Sequence, residues 1–310
     1  MISQSHQDKE NTSNTEKESD IKIIALSLIG IVLFALAWLL VVQSNLESRP
    51  PPSPLSTPSE TKTTTSTPST PSVIEEMPHR KHIYAGIPKP LSSDSESTLL
   101  RNEGYWAGYS EHRKNPIWVA YRVFQTVTPK TFPRPSRFTT DSRTVAEVNH
   151  QAYTRSGYDR GHMAPNFAIA SRHGRRAQLE TFLMSNICPQ KPLLNQGMWK
   201  HLEGRIANEY SNRLEEVWVV TGPIFDDERD TLASGVEIPD QFFKIIVDEN
   251  SGVARMLAFI IPQEVQRGEQ LGNFLTSVDI VEDSVNLDLF WQLEDGLENG
   301  LEAARMTAMW

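Results

Sequence analysis

The amino-acid sequence predicts an α+β fold in which a central antiparallel sheet is flanked by helices and preceded by one transmembrane helix and a stalk. Three observations predict this arrangement. An uncharged apolar run near the N-terminus is followed by a tract of Pro, Ser and Thr. Runs of β-branched and aromatic residues, separated by turn residues, occupy positions 105–124 and 217–261. Apolar residues with helical spacing occupy positions 174–213 and 277–306.

The chain begins with three segments that are not typical of a globular core. Residues 1–20 are polar and lack apolar periodicity, so we expect them to be disordered. Residues 21–42 hold an uncharged run of 20 residues, which at about 1.5 Å per residue spans the roughly 30 Å of a bilayer core. Residues 43–73 are rich in Pro, Ser and Thr and are predicted to form an extended linker. Residues 74–310 are predicted to be the folded domain.

A cleaved signal peptide is the alternative interpretation of residues 21–42. The run is longer than the apolar part of an ordinary signal peptide and no Ala-x-Ala site follows it, so the sequence favours an uncleaved anchor. Lys9, Lys17 and Lys22 precede the run, whereas Arg49 alone follows it closely. Because basic residues remain on the cytoplasmic side, the N-terminus is predicted to be cytoplasmic. The folded domain is then expected across the membrane, in a periplasm or an equivalent compartment.

Charge is distributed unevenly along the chain. The net charge is −9, yet residues 79–213 carry 20 Lys and Arg against 10 Asp and Glu, and residues 214–310 carry 5 against 20. Since phosphate attraction is screened beyond about 8–10 Å in physiological salt, a basic cleft can bind a polyanion on an acidic protein. The single cysteine, Cys188, excludes an intrachain disulfide and lies in an apolar run, which predicts a packing residue.

Residues 74–310 are predicted to contain both strands and helices. The predicted strands are Tyr105 to Tyr109, Ile117 to Phe124 and Val217 to Phe225, followed by a hairpin of Phe242 to Asp248 and Ala254 to Ile261. The predicted helices cover residues 174–186, 195–213 and 277–286, with further acidic helical turns over 287–306. A loop over 127–143 carries Arg134 and Arg137, and Pro189 and Pro192 are expected to end the first helix in a loop.

The stretch from Asp159 to His162, with the sequence DRGH, combines groups suited to acid–base chemistry on phosphates. His162 can take a proton near neutral pH, and Arg160 offers a planar cation that suits phosphate. Gly161 is expected to let the backbone turn so that neighbouring side chains converge, and Asp159 can hydrogen-bond and orient a neighbour. The alternative is a surface loop with ordinary charges.

A second stretch begins 33 residues after His162, at Asn195. If this stretch is helical, Asn195, Trp199 and Glu203 recur every four residues and share one face. An amide oxygen and a carboxylate on that face are hard ligands of the kind that Mg²⁺ accepts. The alternative makes Asn195 a helix N-cap and Glu203 a solvated helix residue.

Residues 181–190, which read TFLMSNICPQ, lie between these two stretches, and the three segments together have a characteristic order and spacing. From about Tyr84 to about Phe290 the sequence resembles the DNA/RNA non-specific endonuclease family, which includes mitochondrial endonuclease G. The tetrapeptide DRGH alone would be a weak signal, whereas the whole series in register is a strong one. The resemblance implies the ββα-metal nuclease fold of that family for the folded domain.

The resemblance also implies a role for each motif residue. By position, His162 is similar to the family's general base, and Asn195 is similar to its ligand for a single Mg²⁺, for which Mn²⁺ can substitute. Glu203 is similar to the acidic residue that hydrogen-bonds metal-bound water. Arg160 and Arg134 are similar to the two arginines that stabilise the transition state.

Two positions leave the resemblance less complete. Arg137 is a second candidate for the role implied for Arg134, since both lie on the same loop. Many members of the family have a small residue and an acid after the proline that follows the motif histidine. This chain instead has Asn166 and Phe167 after Pro165. That departure bears on substrate preference and leaves the motif residues unchanged.

The resemblance implies a metal-dependent endonuclease that hydrolyses DNA and RNA with little base preference and leaves 5′-phosphates. The predicted N-terminal helix would tether this enzyme to a membrane. Dimers occur in the family, so a homodimer is compatible with the resemblance. The residues leave two other functions open. One is a phosphodiesterase for a substrate other than nucleic acid, such as a lipid or a cyclic nucleotide; the other is a nucleic-acid-binding module without turnover.

Overall fold

The structure is a computed structural model, and it describes residues 81–249 and 252–310. The predicted disordered segment 1–20, transmembrane helix 21–42 and linker 43–73 therefore lie outside the described residues. Within the described part of the chain, no helix combines the length and the apolar character that crossing a bilayer requires.

The described residues form eleven strands and five helices of six residues or more, joined by loops and short 3₁₀ turns. The strands are β1 (Lys89–Pro90), β2 (Thr98–Arg101), β3 (Trp106–Ser110), β4 (Asn115–Phe124), β5 (Asp159–His162), β6 (Ile187–Gln190), β7 (Glu216–Ile224), β8 (Gln241–Asp248), β9 (Arg255–Pro262), β10 (Leu275–Thr276) and β11 (Leu287–Asp288). The helices are α1 (Asn166–His173), α2 (Arg175–Glu180), α3 (residues 194–213), α4 (Val278–Val285) and α5 (Asp295–Glu302).

A seven-stranded sheet forms the middle layer, with the strand order β10-β9-β8-β7-β4-β3-β2. Every neighbouring pair in it is antiparallel, as the sequence predicted. The strand patterns at positions 105–124 and 217–261 are confirmed to within two residues at each end. Two further strand pairs, β1 with β11 and β5 with β6, lie outside this sheet.

Both faces of the seven-stranded sheet are buried, because successive side chains of a strand point to opposite faces. On β4, Val119 and Tyr121 pack in one hydrophobic cluster and Trp118 and Ala120 pack in another. The first cluster also contains residues of α1 and α3, and the second contains residues of α4. The fold is therefore layered, with α3 and α4 on opposite faces of the sheet.

The helix predicted from residue 195 is present and continuous, but its hydrogen bonding is not uniform. It alternates π-helical turns, Leu194–Trp199 and Ile206–Tyr210, with α-helical turns, Lys200–Arg205 and Ser211–Arg213. The helix predicted over 277–286 is also present, with Ser277 as its N-cap and Asn286 in a left-handed conformation at its C-terminal end. Of the helical turns predicted over 287–306, α5 is formed, and β11 replaces the first of them.

The DRGH stretch is a strand, so the prediction that Gly161 turns the backbone was wrong. β5 pairs antiparallel with β6, in a register that sets Gly161 opposite Cys188. A Cβ atom on Gly161 would lie 2.1 Å from the Gln190 Oε1 atom, and a glycine admits such a close approach. Gly161 therefore lets the Gln190 side chain pack across the strand.

The loop predicted from Pro189 onward was also wrong, since residues 187–190 form β6. In this two-stranded ribbon, Pro189 lies opposite Arg160, and a proline is tolerated because a ribbon strand needs partners on only one side. Pro192 lies at the start of the helix that continues into α3, where its fixed φ angle and missing N–H are compatible with a first turn. Cys188 is fully buried, as expected of a packing residue.

Asn186, at the entrance to β6, holds the segment that follows His162. Its Oδ1 accepts a hydrogen bond from the Ala164 backbone N–H at 2.8 Å, and its Nδ2 donates to the carbonyls of Ala164 and Thr181 at 3.0 Å. The side chain is fully buried. Because these three bonds are direct and buried, Asn186 holds the segment after β5 against the start of β6.

Candidate functional site

One cleft gathers most of the residues that the sequence singled out. It has a volume of about 620 Å³ and lies beside α3, the end of β5 and the start of α1. Its lining includes Arg134, Arg160, His162, Asn195 and Glu203. Asp159 lies behind the cleft and reaches it through a hydrogen bond described below. The imidazole and the carboxamide therefore share a single cavity, although 33 residues separate them in the chain.

His162 enters the cleft from the end of β5, beside two aromatic rings that also contact each other. Its ring centroid lies 5.3 Å from that of Phe138 and 5.1 Å from that of Phe182. Neither ring nitrogen forms a hydrogen bond with the described residues, and Nε2 is buried. Burial, followed by the positive charge of Arg134, lowers the pKa of His162 to about 3. At neutral pH the imidazole is therefore uncharged, with one nitrogen free to accept a proton.

The two arginines of the cleft are held in different ways. Arg160 donates through Nε and Nη2 to the backbone carbonyl of His150, so its remaining N–H groups stay available to a ligand. Arg134 lies with its guanidinium carbon 4.9 Å from the Phe182 ring centroid, on the loop over 127–143. Arg137, the rival of Arg134 in the sequence, does not line the cleft, and its charge acts on His150 instead. Placement therefore favours Arg134 as the second arginine of the cleft.

Asn195 is oriented by Asp159. The Asn195 Nδ2 atom donates to Asp159 Oδ2 at 2.8 Å, and Gln196 Nε2 donates to the same oxygen at 2.8 Å. The amide nitrogen of Asn195 is thus hydrogen-bonded to β5, whereas its Oδ1 atom has no hydrogen bond to the described residues. This arrangement fits a metal ion, because an amide oxygen is a hard ligand and Asp159 fixes which end of the amide faces the cleft.

The π-helical turn changes which side chains of α3 face the cleft. Uniform α-helical spacing predicts that Asn195, Trp199 and Glu203 share one face, yet Trp199 is buried and packs against Phe242 with ring centroids 5.5 Å apart. Lys200 takes the cleft-facing position instead. The wider i to i+5 repeat of a π turn accounts for this change, and such turns are frequent at functional sites.

Glu203 lies at the floor of the cleft, and its Oε1 atom is buried without a hydrogen-bond partner in the described part of the structure. Burial raises the pKa of Glu203, and the ammonium group of Lys244 opposes this by lowering it. A second hard oxygen without a partner is consistent with a group that holds a water bound to a cation at Asn195.

Lys244 is a residue that the sequence interpretation missed. It is fully buried on β8, on the sheet face that packs against α3. Its Nζ atom lies 4.2 Å from the Trp199 ring centroid and donates to the Tyr121 hydroxyl at 3.5 Å. Burial lowers the pKa of Lys244, and the charge of Glu203 raises it. Lys244 and Glu203 therefore shift one another's pKa through their charges, although no salt bridge joins them in the described structure.

Two further residues of the cleft had no role in the predicted chemistry. Lys200 adds a third cation to the lining, and Glu203 is the only acidic residue among the lining residues, so the cavity is electropositive. Asn166, after Pro165, has a buried Oδ1 atom without a partner. Three cations around a concave site are suited to a phosphate backbone, which is read by charge rather than by base.

Comparison with known proteins identifies the family of this chain. The family model for the DNA/RNA non-specific endonucleases matches residues 86–296. The mitochondrial nuclease of Saccharomyces cerevisiae is 27% identical over 241 residues, which cover 70% of this chain and 71% of the yeast protein. The mitochondrial nuclease EXOG of Danio rerio is 30% identical over 228 residues, covering 67% of this chain and 64% of that protein.

A solved structure, that of the EndoG/EndoGI complex, is similar in fold. It superposes with a TM-score of 0.57 and 24% sequence identity, covering 66% of this chain and 90% of the solved chain. The family match extends over more than half of the chain and contains all the cleft residues named above. The chain therefore belongs to the DNA/RNA non-specific endonuclease family.

Proposed function

We propose that this chain is a metal-dependent endonuclease that hydrolyses phosphodiester bonds in DNA and RNA, with His162 as its general base and a Mg²⁺ ion at Asn195. One observation carries the proposal: an uncharged imidazole without a hydrogen bond shares an electropositive cleft with an oriented carboxamide oxygen. The family membership and the nuclease names of the relatives support it. Mn²⁺, another hard cation, is an expected substitute.

The reaction would begin with a phosphodiester bound by Arg134, Arg160 and Lys200. His162 then takes a proton from a water molecule as the water oxygen attacks phosphorus. The bond from phosphorus to the 3′ oxygen breaks, which leaves a 5′-phosphate on one product, while the 3′ oxygen of the other takes a proton from a second water molecule and becomes a hydroxyl. A divalent cation held at Asn195 would supply positive charge that stabilises the transition state. The two arginines bind the same developing charge through their N–H groups.

Substrate binding is expected to improve His162 as a base. The charge of Arg134 contributes to the low pKa of His162 in the free protein. A phosphate anion paired with Arg134 would oppose that effect and raise the pKa of the imidazole. A base whose pKa lies nearer the working pH transfers protons more efficiently, so catalysis would be coupled to the presence of the substrate.

The His162→Ala substitution should lower turnover by about 10²–10⁴-fold, since it removes the general base, and should leave DNA affinity nearly unchanged. Plasmid nicking under single-turnover conditions and DNA binding in EDTA measure the two quantities. His201→Ala is a matched control, because His201 is an exposed histidine of the same domain that does not line the cleft. Affinity that falls in step with cleavage would contradict the role as base.

The Asn195→Ala substitution should raise sharply the Mg²⁺ concentration needed for half-maximal cleavage.

The Asp159→Ala substitution should raise the same Mg²⁺ concentration by about 10–100-fold, because Asp159 orients the ligand without contacting the ion. Gln196→Ala is the control, since it removes the other hydrogen bond to the same Asp159 oxygen. A Mg²⁺ titration that is identical for Asp159→Ala and Gln196→Ala would refute the orienting role.

Lys244→Met should weaken activity at acid pH more than at alkaline pH. Lys244 lowers the pKa of Glu203, so its removal raises that pKa further and protonates Glu203 over a wider range. The acid limb of the kcat/KM profile is expected to move upward by about 1–3 pH units. Thermal unfolding shows which variants are folded. In a chain that already carries Glu203→Gln, the addition of Lys244→Met should leave the pH profile nearly unchanged. An acid limb at an unchanged pH in folded Lys244→Met protein would exclude this link.

We further propose that residues 21–42 anchor the enzyme in a membrane with the nuclease domain on the non-cytoplasmic side. The support is the uncharged run and the lysines that precede it. In spheroplasts of a bacterial host, external protease should degrade the nuclease domain and spare a cytoplasmic marker. A chain lacking residues 1–42 is the control and should be protected. Protection of the full chain would overturn this orientation.

A further inference from the structure

Three carboxylates lie together on the side of the sheet away from the cleft. Asp279 and Glu282 belong to α4 and Glu302 belongs to the end of α5; we refer to them as the carboxylate cluster. One oxygen from each lies within 4.8 Å of the other two. Since like charges repel at such separations, something in the environment of the cluster must offset the repulsion when these groups are ionised.

Glu302 is the member that is hardest to account for. Its side chain is 7% exposed, and its Oε1 atom is buried with no hydrogen-bond partner in the described residues. A buried carboxylate is costly unless it is paired. The described residues provide no salt bridge to Glu302. Burial, followed by the charges of Glu282, Glu298, Asp279 and Asp288, raises its pKa to about 8.

The other two members of the cluster differ from Glu302 in their surroundings. The Glu282 Oε1 atom accepts a hydrogen bond from the backbone N–H of Leu289 at 2.6 Å, which fixes the orientation of that carboxylate. Asp279 is exposed and leaves one side of the cluster open to solvent. The basic residue Lys89 is already engaged, with Asp288 at 3.8 Å and with the Trp291 ring at 3.4 Å.

From this geometry we infer that Asp279, Glu282 and Glu302 bind a divalent cation, and that Ca²⁺ is the ion that fits. Ca²⁺ takes six to eight oxygen ligands at about 2.3–2.6 Å in flexible geometry, so ligands on opposite sides of it lie about 5 Å apart. Three oxygens that all lie within 4.8 Å of one another can therefore ligate one such ion. Mg²⁺ requires about 2.0–2.1 Å in a near-ideal octahedron, which is a stricter demand on carboxylates that come from two separate helices.

The ion would link α4 to α5 and would act on stability rather than on cleavage. Val278 and Val281 of α4 pack in the hydrophobic cluster that lies across the sheet from α3 and the cleft. Asp279 and Glu282 are therefore held on a rigid element, while Glu302 comes from the last turn of another helix. The inference does not rest on the proposed nuclease function, since no residue of the cleft takes part.

The test is a Ca²⁺ titration of the purified full-length chain after removal of metals with EDTA, with Mg²⁺ present throughout. Calorimetry counts the ions bound, and thermal unfolding measures their effect. Glu302→Gln should reduce the stoichiometry by one ion and abolish the rise in Tm, which in the unmodified chain should reach about 5–10 °C at a hundredfold excess over Kd. Cleavage activity should stay unchanged in this variant.

Two comparisons make the outcome decisive. Asp283→Asn removes the same charge from an exposed position of α4 and should keep the full Ca²⁺ response. In EDTA and above about pH 8, where Glu302 is ionised, Glu302→Gln should be more stable than the unmodified chain, since it removes a buried charge without a partner. If Ca²⁺ changes neither the Tm nor the heat of binding of the unmodified chain, Glu302 is simply protonated and the inference fails. Equal losses in Asp283→Asn and Glu302→Gln would also overturn it.

Discussion

A single hydrogen bond, from the Asn195 carboxamide nitrogen to the Asp159 carboxylate at 2.8 Å, joins the two halves of the candidate site. Asp159 begins β5, the strand that ends at His162, and Asn195 lies in the first π turn of α3. The bond therefore sets the distance between the imidazole and the carboxamide oxygen through one short strand. It also determines which end of the carboxamide faces the cleft. Catalytic groups on separate elements need such a connection, because a displacement of about 1 Å can cost about 10²-fold in rate.

The site also depends on a charged residue, Lys244, that is buried in the sheet. Lys244 has no contact with solvent, and its Nζ atom lies 4.2 Å from the Trp199 ring centroid and 5.9 Å from that of Tyr121. A buried ammonium costs free energy unless an opposite charge compensates it, so stability alone does not explain why a lysine occupies the position. Lys244 opposes the rise in the Glu203 pKa that burial causes, and so favours an ionised carboxylate in the cleft. A residue in the core of the sheet thus influences the protonation of a carboxylate in the cleft.

The limits of prediction from sequence follow from which interactions are local. The strand at Val217 to Phe225 was predicted to within one residue, because its run of β-branched residues is typical of a buried strand. β5 was missed, since DRGH has no alternating pattern and is a strand only through pairing with a segment that contains Pro189. Trp199 lies beside the cleft residues, with its Nε1 atom 3.4 Å from the His162 carbonyl oxygen, but its complete burial was not predicted, because its neighbours in the sequence do not show that its ring packs on the sheet. Lys244 did leave a signal: it alternates with Phe242 and Ile246, two inward-facing residues of the same strand.

The division of charge along the chain acquires a spatial meaning in this fold. The basic segment, residues 79–213, supplies the lining of the cleft, whereas the acidic segment supplies the carboxylate cluster across the sheet. Both faces of the sheet are covered by apolar clusters, so protein and salt solution separate the two charged regions. Screening over about 8–10 Å in physiological salt confines each field to its own side. A phosphate backbone at the cleft would therefore experience Arg134, Arg160 and Lys200 far more strongly than the net charge of −9. The acidic composition is consequently no obstacle to a polyanionic substrate, because the sheet determines which charges that substrate meets.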